Sequence, residues 1–398
     1  MKSLDIQNDT LFSRGMVSVL AAQFLSALAD NALLFAAIAL LKSQHAPKWQ
    51  MPLLQEAFVV AFILLAPFVG PFADAFPKSR VLLFANGIKL FGAAAMLFGV
   101  HPLLAYNLVG IGAAAYSPAK YGILSEMVGQ DQLVKANSLI EGSTIVAIML
   151  GAAMGGLLAD WSVHGALTAI VACYLLAAFS NMLIPRLPSA HQLQKMSPVA
   201  LVKDFSAAMR ILLRNRDSRF SLLGTSVFWG VGSTLRFLLV AWVPVALLIV
   251  NNHVPAYLSG VVAIGIALGA GAAARLVTLD SVNRALPAGI AIGLLIMVFA
   301  QVTTMPAAVA VLVLIGACSG FYVVPLNALL QERGHETVGA GHAIAVQNFF
   351  ENLSMLLLVG FYVLMTKAGI SVVGAATGFG ALALTGIALL AWWRVRQL

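Results

Sequence analysis

Long apolar runs, broken by short polar or Pro/Gly segments, fill the chain. They fall near residues 16–42, 52–73, 81–100, 103–125, 136–159 and 164–185, and again near 219–250, 254–277, 287–304, 306–330, 340–366 and 370–393. A helix needs about 20 mostly apolar residues to cross hydrocarbon, and each run supplies that length. The pattern predicts an all-α polytopic membrane protein with twelve transmembrane helices in two pseudo-symmetric six-helix bundles. The expected division is residues 1–185, a polar linker over 186–218, and residues 219–398. The run from Met16 to Leu41 is too long for a signal-peptide core and reads as a retained helix.

The linker carries a helix signal of its own. Ser197-Pro198 is a good cap followed by a good first helical residue. Val199, Leu201, Val202, Phe205, Met209, Leu212 and Leu213 then recur at helical spacing, with Lys203, Arg210 and Arg214 on another face. Such a helix lies along a membrane surface or packs beneath the two halves as a connector, and the connector is the simpler expectation.

Composition narrows the class. Of 398 residues, 61% are hydrophobic and 10% charged, and the mean hydropathy is +0.95. Soluble domains are about half apolar and about a quarter charged, so a soluble enzyme, a disordered tail and a coiled coil are all excluded. The net charge of +8 would suggest nucleic acid in a soluble protein. Here the positive-inside rule accounts for it, and no nucleic-acid partner is expected. With the N-terminus inside, seventeen Lys and Arg fall on the side of the termini, against Lys42, Lys48 and Lys367 on the other. Both termini are therefore expected to be cytoplasmic. Cys173 and Cys318 lie in separate apolar runs, so neither a disulfide nor a metal site is expected of them.

Charges at mid-helix are costly and need a partner, water or a function. Asp30 interrupts the first run, Lys89 the third, Lys120 the fourth, Glu141 the fifth, Arg236 the seventh and Glu351 the eleventh. One reading makes Asp30–Arg236 and Lys120–Glu141 buried pins. The other opens a hydrated cavity between the halves, with cations for an anionic group and carboxylates for an amine. Buried ion pairs stabilise poorly, which favours the cavity. The candidate binding residues are Asp30, Asn31, Lys120, Arg236, Gln347, Asn348 and Glu351. The last three should give the eleventh helix a polar stripe, with Asn348 and Glu351 on one face. Gly142, Gly151, Gly155 and Gly156 in the fifth run are expected to let helices pack closely.

The halves also echo each other. GAAAYSPAK at 112–120 parallels GACSGFY at 316–322 with Pro325-Leu-Asn327, and an acid, Glu126 or Glu332, follows each. A two-half repeat with a long central loop is a transporter architecture. No enzyme constellation accompanies it. The seven His are scattered, and neither a G-x-S-x-G elbow nor a phosphate-cradling GxxxxGK[ST] occurs, so no cofactor or metal is expected.

Residues 70–80, GPFADAFPKSR, resemble motif A of the major facilitator superfamily. Gly70, Ala73, Asp74, Lys78 and Arg80 fit it, while Ala75 and Pro77 replace the usual Arg and Gly. The resemblance implies a conformational latch formed by Gly70, Asp74, Lys78 and Arg80. The glycines of the fifth run partly resemble the family's antiporter motif, whose Pro is missing here. The strings at 22–35 (AQFLSALADNALLF), 112–124 (GAAAYSPAKYGIL), 234–240 (TLRFLLV) and 324–334 (VPLNALLQERG) resemble the bacterial lysophospholipid transporters of that superfamily.

That likeness implies a flippase of the bacterial inner membrane. It would move lysophosphatidylethanolamine and related lysolipids from the outer to the inner leaflet by alternating access. A separate acyltransferase/acyl-ACP synthetase would re-acylate them, and the transporter would act as a monomer. In that reading Arg236 and Lys120 bind the lipid phosphate, while Asp30 and Glu351 take its ammonium or hold the cations. A proton-coupled drug or metabolite antiporter on the same fold is the alternative.

Overall fold

The computed structural model of the chain describes residues 13–127, 130–185, 197–338 and 340–396. Six helices come first: α1 (Arg14–Ser43), α2 (Gln50–Ala75), α3 (Lys78–Leu97), α4 (Pro102–Met127), α5 (Gln130–Trp161) and α6 (Val163–Met182). A connecting helix follows, α7 (Pro198–Arg214), and then α8 (Arg216–Ala246), α9 (His253–Leu276), α10 (Leu286–Ala300), α11 (Met305–Thr337), α12 (Ala340–Lys367) and α13 (Val372–Val395). A 3-10 segment, Leu279–Ala285, leads into α10. No strand occurs among the described residues. Residues 1–12 and the first part of the linker, 186–196, lie outside them.

Local chemistry sets several helix starts. Ser13, Ser162, Ser197, Asn215 and Ser371 each accept a hydrogen bond from a backbone N–H three residues on, at 3.0–3.2 Å. Each satisfies a donor that the first helical turn leaves orphaned. Ser197 and Pro198 begin α7 as their order in the chain implies.

Eleven of the helices are long and apolar enough to cross a membrane. The twelfth, α4, is 26 residues long but carries Tyr106, Asn107, Tyr116, Ser117 and Lys120. Large apolar side chains such as Leu64, Phe84, Phe91, Phe179 and Leu357 face outward, while Asn86, Lys89, Asn181 and Glu351 are buried. An apolar exterior with polar groups inside suits a protein whose surroundings are hydrocarbon.

The same helix pairs recur in both halves. Contacts α1–α5, α1–α6, α2–α4, α3–α4 and α3–α6 are matched by α8–α12, α8–α13, α9–α11, α10–α11 and α10–α13. Between the halves the main contacts are α2–α12 and α5–α9, which the same correspondence exchanges. The fold is thus two six-helix bundles related by a pseudo-two-fold axis. With an even number of crossings the two chain ends share a face, here termed the terminal face.

The halves are joined at the opposite face. One apolar cluster there draws Leu33, Leu41, Leu54 and Tyr106 of the first half together with Phe237, Val359, Tyr362 and Phe379 of the second. Toward the terminal face the first half keeps a core of its own around Val81, Leu82, Tyr116 and Ile123. The second half has its own core around Trp242, Phe299 and Tyr322.

Polar contacts lock the join. Asp160 at the end of α5 accepts bonds from Asn252 N (2.9 Å), Asn252 Nδ2 (2.8 Å) and His253 N (3.1 Å) at the start of α9. Lys42 Nζ donates to Asn252 Oδ1 at 3.0 Å, and Lys367 of α12 stacks on Trp49, 4.0 Å from its ring centre. On the other side α7 buries Phe205 and Leu212 against Leu222, Val346 and Phe349. Its Val199 and Val202 stay exposed, so only part of the apolar spacing in α7 is used for packing.

Candidate functional site

The first half ties its intramembrane charges to one another. Lys89 on α3 reaches Asp30 on α1, with Nζ to Oδ2 at 2.7 Å. Tyr174 on α6 donates its hydroxyl to the other carboxylate oxygen at 2.6 Å. Lys89 also donates to Ser26 Oγ (3.0 Å), which donates to Asn86 Oδ1 (2.7 Å). The ammonium lies 4.8 Å from the ring centre of Tyr116 on α4. Space for the Lys89 chain exists because position 112 is glycine, where a Cβ would stand 2.7 Å from Lys89 Cγ. Lys89 is 2% exposed and Asp30 is 21% exposed, so the pair is sealed on its lysine side and open on its acid side.

This corrects one expectation. Asp30 pairs with Lys89 of its own half rather than with Arg236. The physical reason is that Lys89, itself held by Ser26, and Tyr174 both reach the acid from inside the first bundle, whereas Arg236 belongs to α8. The side chain of Glu141, the other proposed pin, lies outside the described residues. Lys120 is half-buried on α4 and has an electrostatic or polar interaction of its own.

Arg236 has a different environment. It is half-buried in α8 and makes no hydrogen bond or ion pair with any described residue. Tyr106 on α4 packs in the cluster that holds Phe237, the residue next to Arg236, and feels the charges of both Arg236 and Asp30. A guanidinium at this depth is costly unless water or an anion meets it.

The third group of candidates is a neutral-donor network. Gln347 Nε2 bonds Glu351 Oε1 at 2.8 Å and Asn327 Oδ1 on α11 at 2.7 Å. Gln347 and Glu351, four apart, thus form the stripe on α12. Asn348 is half-buried beside them, its carbonyl accepting from Asn352 Nδ2 at 2.7 Å. Asn31 turns its amide onto its own helix, Nδ2 to Ala27 O at 2.8 Å, and the structure does not bring it to Arg236.

Around Asp30 the glycines act in packing. A Cβ at Gly151 or Gly155 would strike the α1 backbone at Leu28 or Ala32, and one at Gly156 would meet Asn252 and Ala256 of the second half. Gly142 has open space instead, so it has no part in this close approach. Of the latch residues, Gly70 is likewise open, Lys78 is buried along Gly122 of α4, and Arg80 is exposed. The Asp74 side chain lies outside the described residues.

One charge escaped sequence reasoning. Glu56 lies in the second apolar run, and its Oε1 is buried with no hydrogen-bond partner. The usable signal was its position inside a stretch otherwise long enough to span. Among the described residues no three His, Cys, Asp or Glu converge as a metal site requires.

Comparison with known proteins agrees with this architecture. Residues 19–359 match the family model of the Major Facilitator Superfamily. The chain is 56% identical over 391 residues to the lysophospholipid transporter LplT of Citrobacter koseri, covering 98% of each. It is 55% identical to that of Klebsiella pneumoniae and 56% to one from Escherichia coli, again over 98% of each chain. Among solved structures, a POT family transporter in complex with a thioalcohol-conjugated peptide superposes with a TM-score of 0.76 at 12% identity over 99% of both chains. The nucleoside transporter NupG gives 0.72 at 12% identity, over 94% of this chain and 97% of that one. The chain therefore belongs to the major facilitator superfamily and, within it, to the LplT lysophospholipid transporter family.

Proposed function

We propose that this chain is a lysophospholipid flippase of a bacterial inner membrane, carrying lysophosphatidylethanolamine and related lysolipids from the outer to the inner leaflet. The observation that carries this reading is Arg236, a cation inside the membrane with no described counter-ion. Its relatives at 55–56% identity bear the name of lysophospholipid transporters. A lysolipid tail dissolves in the bilayer, and the phosphate head resists crossing. A forked guanidinium matches a phosphate with paired donors, which a lysine cannot do. Lys120 assists on the other side of the path. Asp30 and Glu351 hold the polar scaffold around it, with Gln347, Asn348 and Asn31 on the flanking helix faces.

In this reading the terminal face is cytoplasmic, as the excess of basic side chains there supports. Residues 1–185 rock against 219–398, with 186–218 as the tether. Motif A, through Gly70, Asp74, Lys78 and Arg80, latches the opposite conformation. The protein acts as a monomer and delivers its cargo to an acyltransferase/acyl-ACP synthetase on the cytoplasmic side.

The test is a flip assay with the purified chain in vesicles. A tail-labelled lysophosphatidylethanolamine is added outside, and the fraction that albumin no longer extracts is followed with and without a proton gradient. Flipping faster than in protein-free vesicles, in both conditions, is the expected result. Gradient-driven efflux of a soluble cation with no lysolipid movement would instead assign the chain to the drug or metabolite antiporters.

A further inference from the structure

The carboxylates that the sequence nominates for an ammonium group are already occupied. Asp30 holds Lys89 and Tyr174, and Glu351 holds Gln347. Glu56 is the exception among the described intramembrane acids. Its Oε1 is buried without a hydrogen-bond partner, and it makes no ion pair with any described residue. It points across the α2–α12 seam, where the absence of a side chain at Gly360 leaves 3.5 Å between Oε1 and the place a Cβ would take.

The position has a direction to it. Glu56 is six residues into α2, whose first residue is Gln50, which places it about 9 Å below the opposite face at 1.5 Å per residue. Arg236 is ten residues before the end of α8 at Ala246, a depth of about 15 Å. Asp30 is thirteen residues before Ser43, about 20 Å down. The seam that holds Glu56 is one of the two main contacts between the halves, and Lys367 on Trp49 closes its end. Phe58, two residues on, packs against Tyr106 with ring centres 5.4 Å apart, and Tyr106 is the residue electrostatically linked to Arg236. When the opposite face opens, a head group sliding along this seam meets a carboxylate first and a guanidinium next.

We propose that Glu56 is the site that recognises the positively charged amine of a zwitterionic lysolipid head group on its way to Arg236. A buried acceptor with an empty valence is costly, and a primary ammonium supplies three donors and a countercharge. Lysolipids whose head carries hydroxyls but no amine gain nothing from it, so Glu56 sets head-group preference rather than transport as such. This rests on the flippase reading, and the test keeps the two separable.

The full chain and a Glu56→Gln variant, which keeps shape and removes charge, are compared in vesicles. Lysophosphatidylethanolamine and lysophosphatidylglycerol with identical labelled tails are the probes. The ratio of the two rates within one preparation cancels differences in yield and folding. The expected ratio falls about tenfold in Glu56→Gln, the scale of one charge-assisted hydrogen bond, with lysophosphatidylglycerol little changed. Glu56→Asp, which keeps the charge, retains most of the preference. An unchanged ratio, whether both rates fall together or neither does, overturns the proposal. Failure of the unaltered chain to move either lipid would overturn the flippase reading instead.

Discussion

Asp30 in the first half and Arg236 in the second sit at comparable depths on corresponding helices, α1 and α8, yet their surroundings are opposite. Asp30 meets an ammonium at 2.7 Å and a phenol at 2.6 Å, both from its own bundle, whereas Arg236 meets no partner among the described residues. A charge neutralised within its own bundle moves with that bundle and contributes little to what happens between the halves. A charge left open toward the other half keeps its valence for whatever enters. The difference teaches that the intramembrane charges are not one equivalent set: Asp30 and Lys89 neutralise each other within the first bundle, whereas Arg236 has no partner among the described residues.

The largest effect that can break this comparison lies in the first half. Replacing Lys89 with methionine leaves the Asp30 carboxylate with Tyr174 alone. Removing one partner of a buried pair costs about 3–5 kcal/mol. Lys89→Met should therefore lower the thermal unfolding temperature in detergent markedly, and adding Asp30→Asn should restore much of it, since both charges are then gone. A Lys89→Met protein as stable as the parent would show that the pair is not structural.

Arg236 should behave in the reverse sense. Arg236→Ala is expected to slow lysolipid flipping about 10–100-fold, because hydrogen bonds to charged groups are worth about 1.5–3 kcal/mol. Its unfolding temperature should hold or rise, since an intramembrane cation without a described partner has been removed. Arg236→Lys keeps the charge without the fork and should fall between. Loss of stability as large as that of Lys89→Met would mean that Arg236 is a pin after all, and the contrast would collapse.

The chain reveals its architecture more readily than its pairings, and the reasons are physical. Lipid selects strongly for apolar runs, so the spans stand out in the sequence. Helix ends beyond the hydrocarbon carry no such signal, and α11 accordingly runs on to Thr337 and α5 begins at Gln130. The polar content that marks α4 as less apolar includes Tyr106, Tyr116 and Lys120 on one helix, and Tyr116 lies against the Lys89 ammonium. Which acid meets which base depends on helix neighbours, and spacing along one chain cannot fix that. The glycine at 112 was visible within a repeated string, but its use, to admit the Lys89 chain, belongs to the α3–α4 contact. Glu56 stayed hidden because a lone acid six residues into a span reads as the edge of a loop.

The finest test of the comparison is Glu351, the acid of the second half. Its described hydrogen-bond partner is a side-chain amide, Gln347 at 2.8 Å, which carries no charge. A glutamine carbonyl accepts the same bonds, so Glu351→Gln exchanges charge-assisted hydrogen bonds for neutral ones and should alter stability by about 1 kcal/mol or less. Flipping should stay within about fivefold, the factor in rate that about 1 kcal/mol corresponds to. If instead Glu351→Gln slowed flipping as far as Arg236→Ala, the negative charge itself would act during the cycle, on a proton or on the amine. The second half would then hold a working acid beside its open cation, and the division of labour between the halves would have to be drawn across α12 rather than between α1 and α8.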